Sequence, residues 1–312
     1  MATDPAGPGE APLPATGTDG VADPAHADLA ADLDAAVDGD VRFDEYAQVL
    51  YATDGSIYGA RPAGVVIPEN EADVVAAVTV AAEHDAPVLP RGAGSSLAGQ
   101  TVGPGCVVLD CSKHLNDIRE IDADGKRAVV QPGVVQDDLD AALAPHGLKF
   151  APDPASSNRA TIGGGVGNNS TGAHSVRYGI TVDYVESVRA VLADGTVAEF
   201  EEVVVGSEAW DELLAEGGRV AELHEAVLDL VEANEAEIDE RYPEIQRNVS
   251  GYSLDAVAGE TEAGERTLNL AKLFVGAEGT LGVVVEADLS LVTVPEETAL
   301  ALYCYEDLLD AM

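Results

Sequence analysis

Two glycine-rich segments about 70 residues apart carry the residue types best suited to chemistry. The first is Pro90-Arg91-Gly92-Ala93-Gly94-Ser95-Ser96-Leu97-Ala98-Gly99-Gln100. A strand feeding a Gly/Ser-rich turn is an anion cradle, because glycine permits positive φ and lets successive N–H groups converge on phosphate oxygens. Residues 94–101 nearly spell a Gly-x4-Gly-Lys-Ser/Thr phosphate loop, but Gln100 stands where the lysine belongs. That lysine reaches the outer phosphates, so the stretch is not read as a nucleoside-triphosphate site. The second segment is Thr161-Ile162-Gly163-Gly164-Gly165-Val166-Gly167-Asn168-Asn169-Ser170-Thr171-Gly172. It is not a dinucleotide fingerprint, because the third glycine of that pattern falls on Asn168. Its five glycines still let backbone approach a flat ligand closely. Together the two segments predict one large phosphate-bearing ligand held largely by neutral amides.

Neutral amides suit the charge. The 312 residues hold 57 acidic and 16 basic side chains, a net charge of −41. Such a field repels nucleic acid and anionic lipid, and no nucleic-acid partner is expected. The acidic residues are spread along the chain, which points to an acidic surface kept soluble in a salt-rich, halophilic cytoplasm, with recruitment of a basic partner as the alternative. The start, MATDPAGPGEAPLPATGTDG, has neither the basic nor the apolar part of a secretory signal, and no transmembrane segment is evident. Cys106, Cys111 and Cys304 form no CxxC pair, so they read as buried small residues rather than a metal site. The six histidines form no ligand pair either.

The elements that must position the loops follow from pattern. Residues 1–39 read as a disordered or weakly ordered acidic arm, with a short helix over 26–37. Tyr46, Tyr51 and Tyr58 read as aromatics docking that arm on a core. GVVIPE is a buried strand, and Asn70 caps a helix that ends near His84. APVLP and CVVLD are strands on either side of the first loop. Hairpins are expected at Asp124-Gly125 and Asp194-Gly195, and a helix closed by Gly147 lies between them. Residues 150–178 read as irregular, VAELHEAVLDLVEANEAEI as an amphipathic helix, and TLGVVVEADLSLVTV as a strand pair or bent strand. ALYCYE reads as a strand and DLLDAM as the start of a helix. Frequent hairpins without strict βαβ alternation predict an α+β fold.

PRGAGSSLAGQ, the long stretch VVQPGVVQDDLDAALAPHGLKFAPDPASSNRATIGGGVGNNSTGAHSVRYG, VLADGTV and FVGAEGTLGVV resemble, in order and spacing, the FAD-binding domain of the FAD-linked oxidase family. This is the vanillyl-alcohol oxidase and p-cresol methylhydroxylase type. The nearest likeness is to its D-lactate, glycolate and D-2-hydroxyglutarate dehydrogenase branch, and RFDEYAQVLYATDGSIY resembles long bacterial members with an iron–sulfur domain downstream. The resemblance implies two α+β subdomains with FAD between them over residues 40–296, and the beginning of a truncated cap domain over 297–312. It implies that Arg91, Gly92, Ala93, Gly94, Ser95, Ser96 and Leu97 wrap the diphosphate. Asp153, Pro154, Ser156, Thr161, Ile162, Gly163, Gly164 and Asn168 would line the ribityl and ring side, with Gly172 and His174 completing that wall. Gly282 and Val283 would approach from the last strand. Some relatives attach FAD to a histidine of the first loop; Ser95 occupies that place, so non-covalent FAD is expected.

The implied activity is oxidation of a D-2-hydroxy acid, with electrons leaving to a quinone, cytochrome, iron–sulfur protein or oxygen. A non-catalytic flavin-binding subunit that needs a partner chain, and a related flavoenzyme acting on another alcohol, are the alternatives. No catalytic base is assigned. Arg159 and Arg177 are candidate partners for a substrate carboxylate, and His174 is read as bonding a loop or the flavin edge rather than as a base. Residues 297–312 are too few to cover a flavin, so this chain alone is expected to turn over D-2-hydroxy acids poorly or not at all.

Overall fold

The computed structural model describes residues 21–243, 245, 247–297, 302–307 and 309–310. The chain first builds α1 (Ala27–Ala36), β1 (Asp40–Arg42), α2 (Glu45–Leu50), β2 (Gly64–Ile67), α3 (Glu71–Glu83), β3 (Val88–Arg91) and β4 (Val107–Asp110). The four strands form one sheet in the order β1-β2-β4-β3. β2 and β3 run parallel to β4, and β1 is antiparallel to β2. A strand in the parallel part of a covered sheet is apolar on both faces, which is why GVVI has no polar alternation. α3 starts as its sequence dictates: the Asn70 side chain accepts the Asp73 N–H at 3.1 Å. The buried Asp73 carboxylate in turn accepts the N–H groups of Asp38, Gly39 and Glu69, clamping the approach to β1.

The described part of the acidic arm is docked rather than loose. α1 buries Leu29, Ala30 and Leu33 in a core shared with Val66, Val74 and Leu109. Residues 1–20 lie outside the described part. The tyrosines do not dock this arm: Tyr46 and Tyr58 are exposed, and Tyr51 serves the first glycine-rich loop instead.

The second half carries β5 (Ile118–Asp122), β6 (Arg127–Val130), α4 (Gln136–Leu143), β7 (Leu148–Lys149), α5 (Ile162–Asn168), α6 (Ser175–Tyr178), β8 (Val185–Val191) and β9 (Val197–Phe200). It continues with β10 (Glu202–Val204), α7 (Glu208–Glu216), α8 (Gly218–Arg241), β11 (Ala258–Glu260), β12 (Arg266–Asn269), α9 (Ala271–Phe274), β13 (Val283–Ser290) and β14 (Val292–Thr293). The main sheet is antiparallel, in the order β5-β6-β13-β8-β9. Both expected hairpins form. In the first, the left-handed residue is Lys126 rather than Gly125, because the Asp122 carboxylate accepts the N–H groups of Asp124 and Gly125 and shapes the turn. β13 alternates buried and half-buried residues along its length. Its Val283 and Val285 join the core under the first sheet, while Ala287 and Leu289 join the larger core of the second half, so one strand stitches the two together. The mixture of a part-parallel sheet and an antiparallel sheet is the α+β architecture that the hairpins predicted.

Two segments differ from the pattern reading, residues 150–178 and 302–305, and a third takes one of its two expected forms. Residues 150–178 contain the short helices α5 and α6. TLGVVVEADLSLVTV is the bent form, breaking after β13 so that β14 can pair with β7. Leu302–Tyr305 carry no strand, and Cys304 is exposed whereas Cys106 and Cys111 are buried as expected. Among the described residues no helix is long and apolar enough to cross a membrane, and no cluster of metal-ligating side chains occurs.

Candidate functional site

The first glycine-rich loop leaves the carboxyl end of β3 and returns through β4. It forms one wall of a cleft of about 660 Å³, within the 300–1,000 Å³ usual for small-molecule sites. The opposite wall is the second glycine-rich segment, and residues 249–251 and 277–279 close the remaining sides. The two loops meet at Gly92, where a Cβ would overlap Thr161 Oγ1. Glycine is therefore required for the walls to approach as they do.

The first loop is braced from behind. Arg91 donates to the carbonyls of Tyr51, Thr101 and Thr53 and lies over the Tyr51 ring. Tyr51 Oη donates to the buried Asp110 carboxylate at 2.5 Å, which ties this brace to the end of β4. Gly55 N–H donates to Gly94 O at 2.9 Å. Asp54 accepts from Ser96 Oγ at 2.8 Å and from Thr101 Oγ1 at 3.3 Å. Burial works to raise the Asp54 pKa, but hydrogen bonds from Ser56, Ser96 and Thr101 outweigh it and hold the carboxyl at about 2. The segment DGSIY thus holds the loop from outside the cleft.

Held this way, the loop shows the cleft a run of free donors. None of the N–H groups of residues 92–97 donates to any group among the described residues. All six residues line the cleft. Gly94 has φ +63°, the left-handed conformation that turns successive N–H groups toward one side.

The second segment works differently. α5 contains four glycines in seven residues, which propensity alone would not make helical. Thr161 caps it, with Gly164 N–H donating to Thr161 Oγ1 at 3.3 Å. Ile162 and Gly163 N–H groups donate to the carbonyls of Val134 and Pro132. Gly276 and Glu278 N–H groups donate to Val166 and Gly167 from the far side. The first-turn N–H groups are thus spent on the protein, and this segment offers a flat surface rather than a donor cradle. Asn169 follows α5, buried, with Oδ1 accepting the Val182 N–H and Nδ2 without a partner.

The structure gathers most of the residues singled out in the sequence. Arg91 through Leu97, Pro154, Ser156, Thr161, Gly163, Gly164, Asn168 and Gly282 all line the cleft. Ile162 and Val283 do not, because their side chains are buried in the two cores; Val284 lines the cleft in place of Val283. Gly172 is not part of the lining, because it packs on the backbone of Asp153, and the Asp153 carboxylate pairs with His174 Nδ1. His174 is exposed outside the cleft, as are Arg159 and Arg177. Arg177 lies over the Tyr178 ring, and Arg159 bonds its neighbour Asn158.

One sequence signal goes unused in the motif reading. Residues 86–109 and 154–182 contain no aspartate or glutamate, in a chain with 57 of them. These two intervals hold the two glycine-rich loops. Among the described residues lining the cleft, Glu278 is the one acid and Arg91 the one cation. A cleft cleared of like charge, with six free N–H groups on one wall, fits a diphosphate. The flat glycine face opposite fits a planar ring system.

Residues 62–201 match the FAD binding domain family. A D-2-hydroxyglutarate dehydrogenase of Pseudomonas putida is 34% identical over 277 residues, which cover 88% of this chain and 27% of that protein. The glycolate oxidase subunit GlcD of Bacillus subtilis is 32% identical over 272 residues, covering 86% and 46% respectively. The chain thus spans less than half the length of these curated relatives. A solved structure of alkyldihydroxyacetonephosphate synthase superposes with a TM-score of 0.55 over 82% of this chain and 38% of its own, at 20% identity, and so shares the fold. Residues 62–201 of the chain thus form a domain of the FAD binding domain family.

Proposed function

We propose that the chain is the FAD-binding portion, over residues 40–296, of an enzyme that oxidises a D-2-hydroxy acid such as D-2-hydroxyglutarate, D-lactate or glycolate. The observation that carries the reading is the run of six N–H groups, residues 92–97, that have no partner among the described residues, in a cleft whose described lining holds one acid. The relatives named for D-2-hydroxyglutarate dehydrogenase and glycolate oxidase support the substrate class.

In this reading the N–H groups of Gly92 to Leu97 hold the FAD diphosphate. Arg91 acts as the brace that fixes them rather than as a phosphate contact, since its donors are taken by carbonyls. Pro154, Ser156, Thr161, Gly163, Gly164 and Asn168 form the opposite wall, and Gly282 closes the end near β13. Ser95 offers no nucleophile suited to linking a flavin, so the cofactor is held without a covalent bond. When bound, FAD supplies the hydride acceptor for the α-carbon of the substrate. The chain's own share is to orient the ring against the glycine face and to keep negative charge away. Electrons leave to an acceptor protein or an iron–sulfur partner. The charge of −41 supports a salt-rich cytoplasm as the setting, and a melting temperature that fails to rise with salt would count against it.

Anaerobic mixing of FAD-loaded protein with D- and L-2-hydroxyglutarate and with D- and L-lactate tests the activity. The expected result is slow loss of the oxidised flavin band with a D isomer and none with its L isomer. Equal rates for both isomers would contradict the assignment.

A further inference from the structure

Eight of the sixteen basic residues have a carboxylate partner among the described residues. In a chain at −41, a cation left without one needs a reason. Arg91 and Lys272 spend their charge on backbone carbonyls. Lys149 and Arg177 lie over the Tyr178 ring, Arg159 bonds the Asn158 amide, Lys126 donates to the Thr293 hydroxyl, and Lys113 is exposed to water.

Arg247 differs. It is exposed, and Nη2 donates to Gly172 O at 2.7 Å. Gly172 directly follows Thr171, which lines the cleft, and Val249 to Gly251, two to four residues beyond Arg247, line it as well. Neither Arg247 nor Gly172 lines the cleft itself, but each is joined by a short stretch of chain to residues that do. The hydrogen bond fixes the guanidinium beside Gly172. A guanidinium has five donors in a planar fork, so one bond to a carbonyl leaves donors free for a carboxylate. Asp153, whose backbone packs on Gly172, spends its carboxylate on His174 Nδ1.

We propose that Arg247 is a specificity-determining residue of this cleft, whose guanidinium binds the carboxylate of the 2-hydroxy acid. The inference rests on the FAD-dependent reading above and assigns a residue for the substrate class. It requires a small carboxylate to bind near the flavin whether or not it reacts. Arg247 then selects hydroxy acids over uncharged alcohols of the same size.

The probe is oxalate, a carboxylate that is not oxidised as a hydroxy acid, titrated into FAD-loaded protein while the flavin absorption band is followed. Wild type should give a saturable perturbation, and Arg247→Ala should weaken the oxalate Kd at least tenfold with FAD affinity unchanged. Two further variants separate binding from bracing. Arg247→Lys keeps the charge and should recover part of the affinity. Arg247→Gln keeps a neutral donor for Gly172 O and should not. An unchanged oxalate Kd in Arg247→Ala overturns the proposal, as does full recovery in Arg247→Gln. Absence of any oxalate effect on wild-type protein that has taken up FAD overturns it too, while leaving the cofactor assignment standing. Protein that takes up no FAD contradicts the reading on which the proposal stands.

Discussion

Gly94→Val and Gly164→Val each give a folded protein that no longer takes up FAD, for different reasons. Gly94 has φ +63°, and its Cβ would lie 2.5 Å from the Arg91 guanidinium. A side chain in left-handed backbone costs about 1–2 kcal/mol, more for a β-branched one. The loop must also push Arg91 off the carbonyls that brace it. The N–H groups of 92–97 then lose their common direction. At Gly164 the backbone is helical, and a Cβ meets only Thr161 Oγ1, at 3.2 Å. Valine is therefore tolerated by the helix, and its side chain occupies the cleft instead. Both variants should bind FAD at least about a hundredfold more weakly, a difference of about 2.7 kcal/mol. Far-ultraviolet circular dichroism should match wild type for Gly164→Val. FAD titration by flavin fluorescence is the measurement, and wild-type affinity in both variants would refute the placement of the cofactor.

Asp54→Ala lowers FAD affinity about tenfold or more although Asp54 faces the back of the loop. Its carboxylate accepts the Ser96 and Thr101 hydroxyls, so removing it frees the segment that carries the free N–H groups. The pH dependence has a definite sign. The folded pKa, about 2, lies below the ordinary 3.8 of an aspartate. The stabilisation is therefore complete above the ordinary value and is lost as pH falls through about 2. Between pH 4 and pH 8 the wild-type loop should hold its geometry, and the loss in Asp54→Ala should be the same across that range. A variant whose FAD affinity equals wild type at neutral pH would show that the brace is dispensable.

The first loop was legible because a run of glycine and serine directly after a short strand has few other uses. The two hairpins and α3 followed from Asp-Gly pairs and from the Asn70 cap. The helix α5 was not legible, since GGGVG has little intrinsic tendency to be helical and is held by bonds from Val134, Pro132, Gly276 and Glu278, all remote in sequence. For the same reason its first-turn N–H groups looked available and are not. Ile162 and Val283 sit inside the right motifs, but the side to which each residue turns is set by packing, and both turn to the cores. The tyrosines misled because an exposed aromatic and a buried one read alike in sequence. Tyr51 is spent on Asp110 and Arg91, while Tyr46 and Tyr58 are on the surface. The absence of acids from 86–109 and 154–182 was visible throughout, and it becomes meaningful once both intervals are seen to face one cleft.

The central claim is that neutral backbone donors in a cleft cleared of acids hold one FAD without a covalent bond. Protein purified in high salt should be yellow, contain close to one flavin per chain, and release intact FAD into the supernatant on denaturation. Colourless protein that also fails to bind added FAD would contradict the claim, as would flavin that stays with the denatured chain.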